Sequence, residues 1–194
     1  KQQKEDEHFE LFENLQDMEN NKEQLYIDIH ESKLYDIRNK SIIILVDYSL
    51  DKMYYRTISL ITAINNFIKN DNTVTLLSNS TYPGIFIESI DDGCKFVNID
   101  TIKNINFLNY ELIITMSKKS MLHLIKKEHL YKTIIFEFND CLETLKKLDS
   151  EYCLFVIKSS KIRNYYINNN INPDKILVQK ILLNNYNLNI EKTE

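Results

Sequence analysis

Five short stretches of this sequence place hydrogen-bonding side chains directly after apolar runs. They are Asp47-Tyr48-Ser49, Ser78-Asn79-Ser80-Thr81, Ser117-Lys118-Lys119, Asn139-Asp140 and Lys158-Ser159-Ser160-Lys161. Hydroxyls, amides and lysines at this density suit recognition of a polyol, whose many O–H groups each need a partner. The same residue types are also ordinary helix N-caps, and Ser49, Asp140 and Ser160 each precede a helical run. No nucleophile elbow of the form G-x-S-x-G occurs, and Glu137 and Asp140 have no partner acid or histidine near them in sequence. The histidines His8, His30, His123 and His129 fall away from the strand ends. His123 and His129 flank a short helix with lysines, and their expected roles are solvated or half-buried ones. Cys94, Cys141 and Cys153 are widely spaced, with no C-x-x-C and no cysteine–histidine cluster, so no metal site is expected.

Glycine gives the sharpest exclusion. The run Ser41 to Leu60, SIIILVDYSLDKMYYRTISL, opens as a nucleotide-binding βα unit does, with an apolar strand that turns at Asp47 into a helix. Backbone N–H groups can cradle a phosphate only where the chain passes close by, which glycine permits. This turn has no glycine, and the 194 residues contain only two. Neither G-x-G-x-x-G nor the P-loop pattern is present. No nucleotide cofactor is therefore expected in this domain. Receiver-type phosphoacceptor chemistry needs paired acids at the end of the first strand, where Asp47 stands alone.

The elements that must position these loops follow from periodicity. Residues 1–38 read as a helical lead-in or linker, with Phe9, Phe12, Leu15 and Met18 recurring at helical spacing beside Leu11. From 39 to 183 short apolar strands alternate with helices. The strands are expected at 42–46, 74–77, 85–87, 96–99, 112–116, 133–138, 153–157 and 176–178. Helices are expected at 53–68, around 121–130, and at 142–148 and 162–167. Asp91-Asp92-Gly93 marks a turn, and Pro83 and Pro173 fall outside the repeating elements. Strands apolar on both faces and separated by helices imply an α/β domain: a doubly wound, mostly parallel, Rossmann-like sheet with an N-terminal helical extension. Residues 184–194 read as a polar tail.

Composition agrees with one globular domain of 43% hydrophobic and 27% charged residues. A net charge of −4 argues against a nucleic-acid partner, which calls for a basic domain or stripe. Three scattered cysteines fit a reducing, cytoplasmic compartment, with a peripheral membrane association left open. No apolar run approaches the ~20 residues of a membrane span, and no signal-peptide pattern opens the chain. The polar start at Lys1 suggests a piece excised from a longer polypeptide. The abundance of Ile, Asn, Lys and Tyr is read as codon bias.

Four stretches carry a family resemblance. YYRTISLITAINNFIKNDNTVTLLSNS, FLNYELIITMS, TIIFEFND and FVIKSSKIRNYYINNNINPDKILVQ resemble, in order and spacing across about 55–180, the amino-terminal half of a retaining, group 1 type GT-B glycosyltransferase. The resemblance implies an acceptor-binding domain facing a second Rossmann-like domain of the same chain. That second domain would bind the nucleotide-sugar donor and supply a Glu-x7-Glu element. It also implies a sugar, lipid or protein acceptor lined by Tyr48, Arg56, Ser80, Asn139 and Ser159. Lys52 to Arg56 stands where the family usually has a Gly-Gly pair, and Asn139 where it has a histidine. A chain of this length provides one half of such a cleft, so no transfer is expected from it alone. The alternative reading is a non-catalytic Rossmann-like relative kept for binding or assembly, with the N-terminal helix docking another protein or a second copy.

Overall fold

The structure is a computed structural model that describes residues 37–51, 55–79, 81–100, 105–116, 124–136, 142, 146, 153–157 and 160–178. Apart from Ile37 and Arg38, the lead-in 1–38 lies outside the described residues, as does the tail 184–194. The strands are β1 (Ser41–Val46), β2 (Thr73–Ser78), β3 (Cys94–Asn98), β4 (Leu112–Met116), β5 (Thr133–Phe136), β6 (Cys153–Ile157) and β7 (Ile176–Val178). The α-helices are α1 (Tyr55–Lys69), α2 (Gly84–Glu88) and α3 (Ser160–Asn168). Short 3₁₀ turns at Phe107–Asn109, Lys127–Lys132 and Pro173–Lys175 lead into β4, β5 and β7. Among the described residues no helix is long and apolar enough to cross a membrane.

The strands form one sheet in the order β3-β2-β1-β4-β5-β6-β7. Every neighbouring pair is parallel, with Ile44 opposite Leu76 on one side and Ile114 on the other. This is the doubly wound Rossmann-like arrangement expected from the sequence. Its cause is visible in β1, where Ile42 through Val46 are all fully buried. A strand with no polar face needs cover on both sides, and parallel crossovers supply it. Ile42, Ile44 and Val46 face the side packed by Leu60, Ile64 and Phe67 of α1 and Phe86 of α2. Ile43 and Leu45 belong to the opposite core with Phe107, Ile125, Leu142 and Tyr166 of α3.

With so little glycine, the chain ends its helices on Asp and Asn. Asp71 (φ 61°) follows α1 and Asn170 (φ 68°) follows α3, both left-handed. At each end the backbone closes in a Schellman pattern. Asn72 N–H donates to the Phe67 carbonyl and Asp71 N–H to that of Ile68, while Ile171 and Asn170 do the same to Tyr166 and Ile167. Asp and Asn tolerate this conformation better than other side chains.

Two expectations are corrected. Ile85–Ile87 reads as a strand but forms α2. Pro83 precedes it with φ already preset for a first helical turn. Phe86 turns inward while Ile85 and Ile87 stay exposed. The alternation of one buried residue between two exposed ones thus reports a single helical turn, not a pleat. Around 121–130 the described residues form the 3₁₀ turn Lys127–Lys132 in place of a regular helix.

The amino-terminal edge of the sheet is closed by a polar network that the sequence did not announce. Lys40 Nζ bonds Glu111 Oε1 at 3.0 Å, and the Ser41 N–H donates to Glu111 Oε2 at 3.0 Å. Lys132, only 4% exposed, donates to the carbonyls of Phe107 (2.8 Å) and Tyr110 (2.5 Å). Burial raises Glu111, but the bonds from Lys40 and Ser41 and the charges of Lys40 and Lys132 outweigh it, so it titrates below the ordinary glutamate value. Burial pushes Lys132 down, and Glu111 partly offsets this.

His129 is also corrected: it is buried, its ring 6.1 Å from that of Phe107. Burial, then the Lys132 charge, holds its pKa below the usual histidine value, with Glu128 opposing and Lys126 adding to the depression. The unfolded chain therefore takes up this proton at a higher pH than the folded one. Stability should fall as pH drops below ~6.5. We expect a lower urea midpoint at pH 5.5 than at pH 7.5, with the difference reduced in His129→Gln. An unchanged difference in that variant would assign the pH dependence to other groups.

Candidate functional site

In an open parallel sheet, ligands bind beyond the carboxyl ends of the strands, where the strand order reverses. Here the reversal lies between β1 and β4. The rim beside it is built by Asp47–Asp51 after β1, by Asn79 and Thr81 after β2, and by Ile99 and Asp100 after β3. The residues directly after β4 (117–123), β5 (137–141) and β6 (158–159) lie outside the described residues.

The β1–α1 connection keeps the alternation of the strand it leaves. Tyr48 (8% exposed) and Leu50 (0%) join Ile42, Ile44 and Val46 in the α1-side core. Tyr48 Oη donates to the Arg56 carbonyl at 3.2 Å, tying the turn to the first turn of α1. Burial holds this phenol far above its usual pKa, with the Arg56 charge partly offsetting and Asp47 adding to the rise. A phenol so placed braces the loop and is no proton donor or acceptor near neutral pH. Ser49 and Asp51 face solvent. Ser49 Oγ donates to Asp51 Oδ2 at 2.7 Å and accepts from the Asp51 N–H at 3.2 Å, a turn closed on itself.

Among the described residues of this connection, 47–51, none takes a positive φ. A dinucleotide-binding loop uses glycine so that the pyrophosphate can approach the backbone. This connection has no glycine, and its Tyr48 and Leu50 side chains turn into the α1-side core. Arg56 is half-buried at the start of α1. Asp47 and Arg56 both act electrostatically on the Tyr48 phenol, so charges of both signs lie close to the switch point.

After β2, Ser78 is fully buried and Asn79 exposed. Tyr82 packs on Phe96 with ring centroids 5.0 Å apart, and its hydroxyl reaches the carbonyls of Leu76 and Val97. Burial pushes this phenol up to about 12. Cys94 is half-buried at the start of β3, and burial pushes its thiol up to about 12 also, which leaves it unreactive at neutral pH. No group of three or more His, Cys, Asp or Glu among the described residues is arranged to hold a metal ion.

Of the five residues expected to line the rim, Tyr48 and Arg56 are brought together at the β1–α1 turn, joined through the Arg56 backbone. Ser80, Asn139 and Ser159 lie outside the described residues. The rim residues that sequence reasoning left off its final choice are Ser49 and Asn79, both exposed. The amino-edge cluster of Lys40, Glu111, His129 and Lys132 was missed altogether. Its signal was a charged residue immediately before each apolar run, Glu111 before β4 and Lys132 before β5. That cluster sits at the edge opposite the rim, and Lys132 spends its donors on backbone carbonyls, so it holds the fold.

Comparison of the chain with protein-family models, with curated proteins and with solved structures finds no match in any of the three.

Proposed function

We propose that this chain is the acceptor-side domain of a nucleotide-sugar-dependent, GT-B type glycosyltransferase, incomplete without a second, donor-binding domain. The observation that carries the reading is the switch point itself. It is a carboxyl rim of polar residues on an all-parallel Rossmann-like sheet, with the first loop free of glycine and its Tyr48 and Leu50 turned into the core. Such a rim can orient a hydroxylated acceptor, and its glycine-free first turn does not favour the close backbone approach a diphosphate needs. Arg56, with Ser80, Asn139 and Ser159, would bind the acceptor, and Tyr48 would hold the loop in place. Catalysis in the complete enzyme would rest on positioning and on stabilising the leaving diphosphate, the second of these supplied by the donor domain. β7 ends at Val178 on the same rim, so chain continuing past it starts on the side where a facing domain would stand. The scattered cysteines favour a cytoplasmic setting.

A second reading is a non-catalytic binding or assembly domain of the same fold. The engagement of Tyr48 Oη by the Arg56 carbonyl favours it, because that hydroxyl is withdrawn from any ligand.

Amide shifts of the isotope-labelled chain separate these readings. Under the transferase reading, mono- and oligosaccharides should produce saturable shifts at Asp47, Ser49, Arg56 and Asn79. Arg56→Ala should weaken them about tenfold, the loss of ~1.4 kcal/mol. Nucleotide-sugars should give no saturable shifts. Saturable, tight nucleotide-sugar binding at 47–51 would overturn the proposal. Sugars that leave the rim unmoved would favour the assembly reading.

A further inference from the structure

One half of the sheet is buried on its α1 side by nothing that the described helices supply. Ile114 and Met116 of β4 and Ile134 and Phe136 of β5 face that side and are all but inaccessible, at 1%, 2%, 1% and 3% exposure. α1 runs from β1 to β2 and α2 from β2 to β3, so both lie over the β3 half. A helix is about 10 Å across and strands are ~4.8 Å apart, so one helix covers about two strands. The described core residues that follow β3 outside the strands, Phe107, Ile125, Leu130, Leu142, Tyr166 and Ile171, all belong to the opposite core.

The flanks of α1 point the same way. Asn65 on one flank bonds the Ser89 carbonyl and the Asp91 N–H, which fixes that flank toward α2. The other flank, facing β4, carries the small residues Ser59 and Ala63, at 0% and 2% exposure. Small side chains buried along one flank let a neighbouring helix approach closely.

We infer that the chain's own N-terminal segment, residues 1–36, lies in this place, with the apolar stripe Phe9, Phe12, Leu15 and Met18 over β4 and β5 and against the Ser59–Ala63 flank. The segment ends on that very face: Ile37 is 7% exposed in the α1-side core, and its carbonyl accepts from Asn72 Nδ2 at 2.7 Å. At the helical rise that its spacing predicts, the stripe 9–18 would span ~15 Å, close to the ~17 Å length of β4. The residues between Met18 and Ile37 far exceed what is needed to cross the ~10 Å from β1 to β5. The segment 179–194 departs from β7, two strands from β5 and so no farther than β1; the anchoring of Ile37 in the α1-side core is what favours the N-terminal segment. This assignment does not depend on what the rim binds.

Photocrosslinking of the full chain tests it. Benzoylphenylalanine in place of Leu15 should, on irradiation, form adducts with peptides carrying Ser59–Ala63, Leu112–Met116 or Thr133–Phe136. In a mixture of isotopically heavy and light chains, each adduct should join peptides of one isotopic kind. Adducts joining heavy to light chains would assign the face to a second copy and overturn the inference. So would adducts elsewhere, no adducts, or the same probe at Leu182 reaching those strands instead. As a second readout, Phe12→Asp with Leu15→Asp should speed amide exchange in β4 and β5 about tenfold or more, with β3 much less affected. Unchanged exchange in the folded variant would equally overturn it. Should the double variant fail to fold, the crosslink decides.

Discussion

Ile44→Ala should lower the free energy of unfolding by about 4 kcal/mol, near the upper end for loss of a buried aliphatic side chain. Ile44 is fully buried at the centre of the sheet, with Leu76 and Ile114 opposite it on the neighbouring strands. Its side chain points into the larger core, against α1. Neighbours on both flanks are fixed by the parallel ladder, so the site cannot collapse to fill the space, and the cavity term adds to the lost transfer energy. For a domain of this size the loss corresponds to a fall in melting temperature of roughly 10 °C. Ile87→Ala, at a position 42% exposed, should cost less than about 0.5 kcal/mol. Urea unfolding of the two variants side by side checks this. A cost below about 1 kcal/mol at Ile44 would mean that the sheet centre is not packed as described.

The second large effect is expected at Asn72, where one amide side chain joins three parts of the chain. Its Nδ2 donates to the carbonyls of Ile37 and Phe67 at 2.7 and 2.9 Å, and its Oδ1 accepts from the Lys40 N–H at 2.9 Å. The residue is 5% exposed. Asn72→Ala leaves the Ile37 carbonyl and the Lys40 N–H without this partner, at a cost of about 2–3 kcal/mol. Phe67 loses less, because its carbonyl also accepts from the backbone N–H groups of Asn70 and Asn72. Asn72→Asp is the more informative variant. It keeps the acceptor for Lys40 but sets a carboxylate against two carbonyls, which favours the protonated acid in the folded state. Its folded pKa is then raised above the ~3.9 of the unfolded chain, and the variant gains stability as pH falls toward that value. His129 destabilises both proteins on acidification, so the difference between them isolates residue 72. The gap in urea midpoint between wild type and Asn72→Asp should narrow from pH 7 to pH 5, which would establish the amide's double role as donor and acceptor. A gap that stays constant would contradict it.

How much of this was legible before the fold was seen depends on the residue. The continuous apolar runs at 42–46 and 112–116 could be read directly, because a strand buried on both faces leaves no polar position to blur it. The doubly wound, parallel character of the sheet followed from the crossover rule, whereas the order of the strands came only with the structure. Ile85–Ile87 misled because a single helical turn with one inward side chain gives the same alternation as a short strand. His129 and Lys132 were opaque because their surroundings, the Phe107 ring beside His129 and the Phe107 and Tyr110 carbonyls at Lys132, come from more than twenty residues earlier in the chain. Tyr48 is the instructive case at the rim. Ile42, Ile44, Val46, Tyr48 and Leu50 all join one core. The period of two thus runs past the end of the strand, and carrying it onward assigns Tyr48 to the interior. A reading by residue type alone gave its hydroxyl to a ligand. The family resemblance draws on the same strand and helix pattern, so it speaks to the fold more directly than to the chemistry.

The parallel pairing also has a kinetic meaning. The register that joins the two halves of the sheet sets Ile42 opposite Leu112, residues seventy positions apart. No hairpin offers an early local nucleus among the described strands, so the central ladder must wait for a long loop to close against its entropy. The pairs within each half close sooner: Val74 aligns with Cys94, Ile113 with Thr133 and Thr133 with Cys153, and these short closures are the natural places for the fold to begin. Until β4 arrives, the bare edge of β1 is the stretch of this chain most exposed to pairing with the wrong partner.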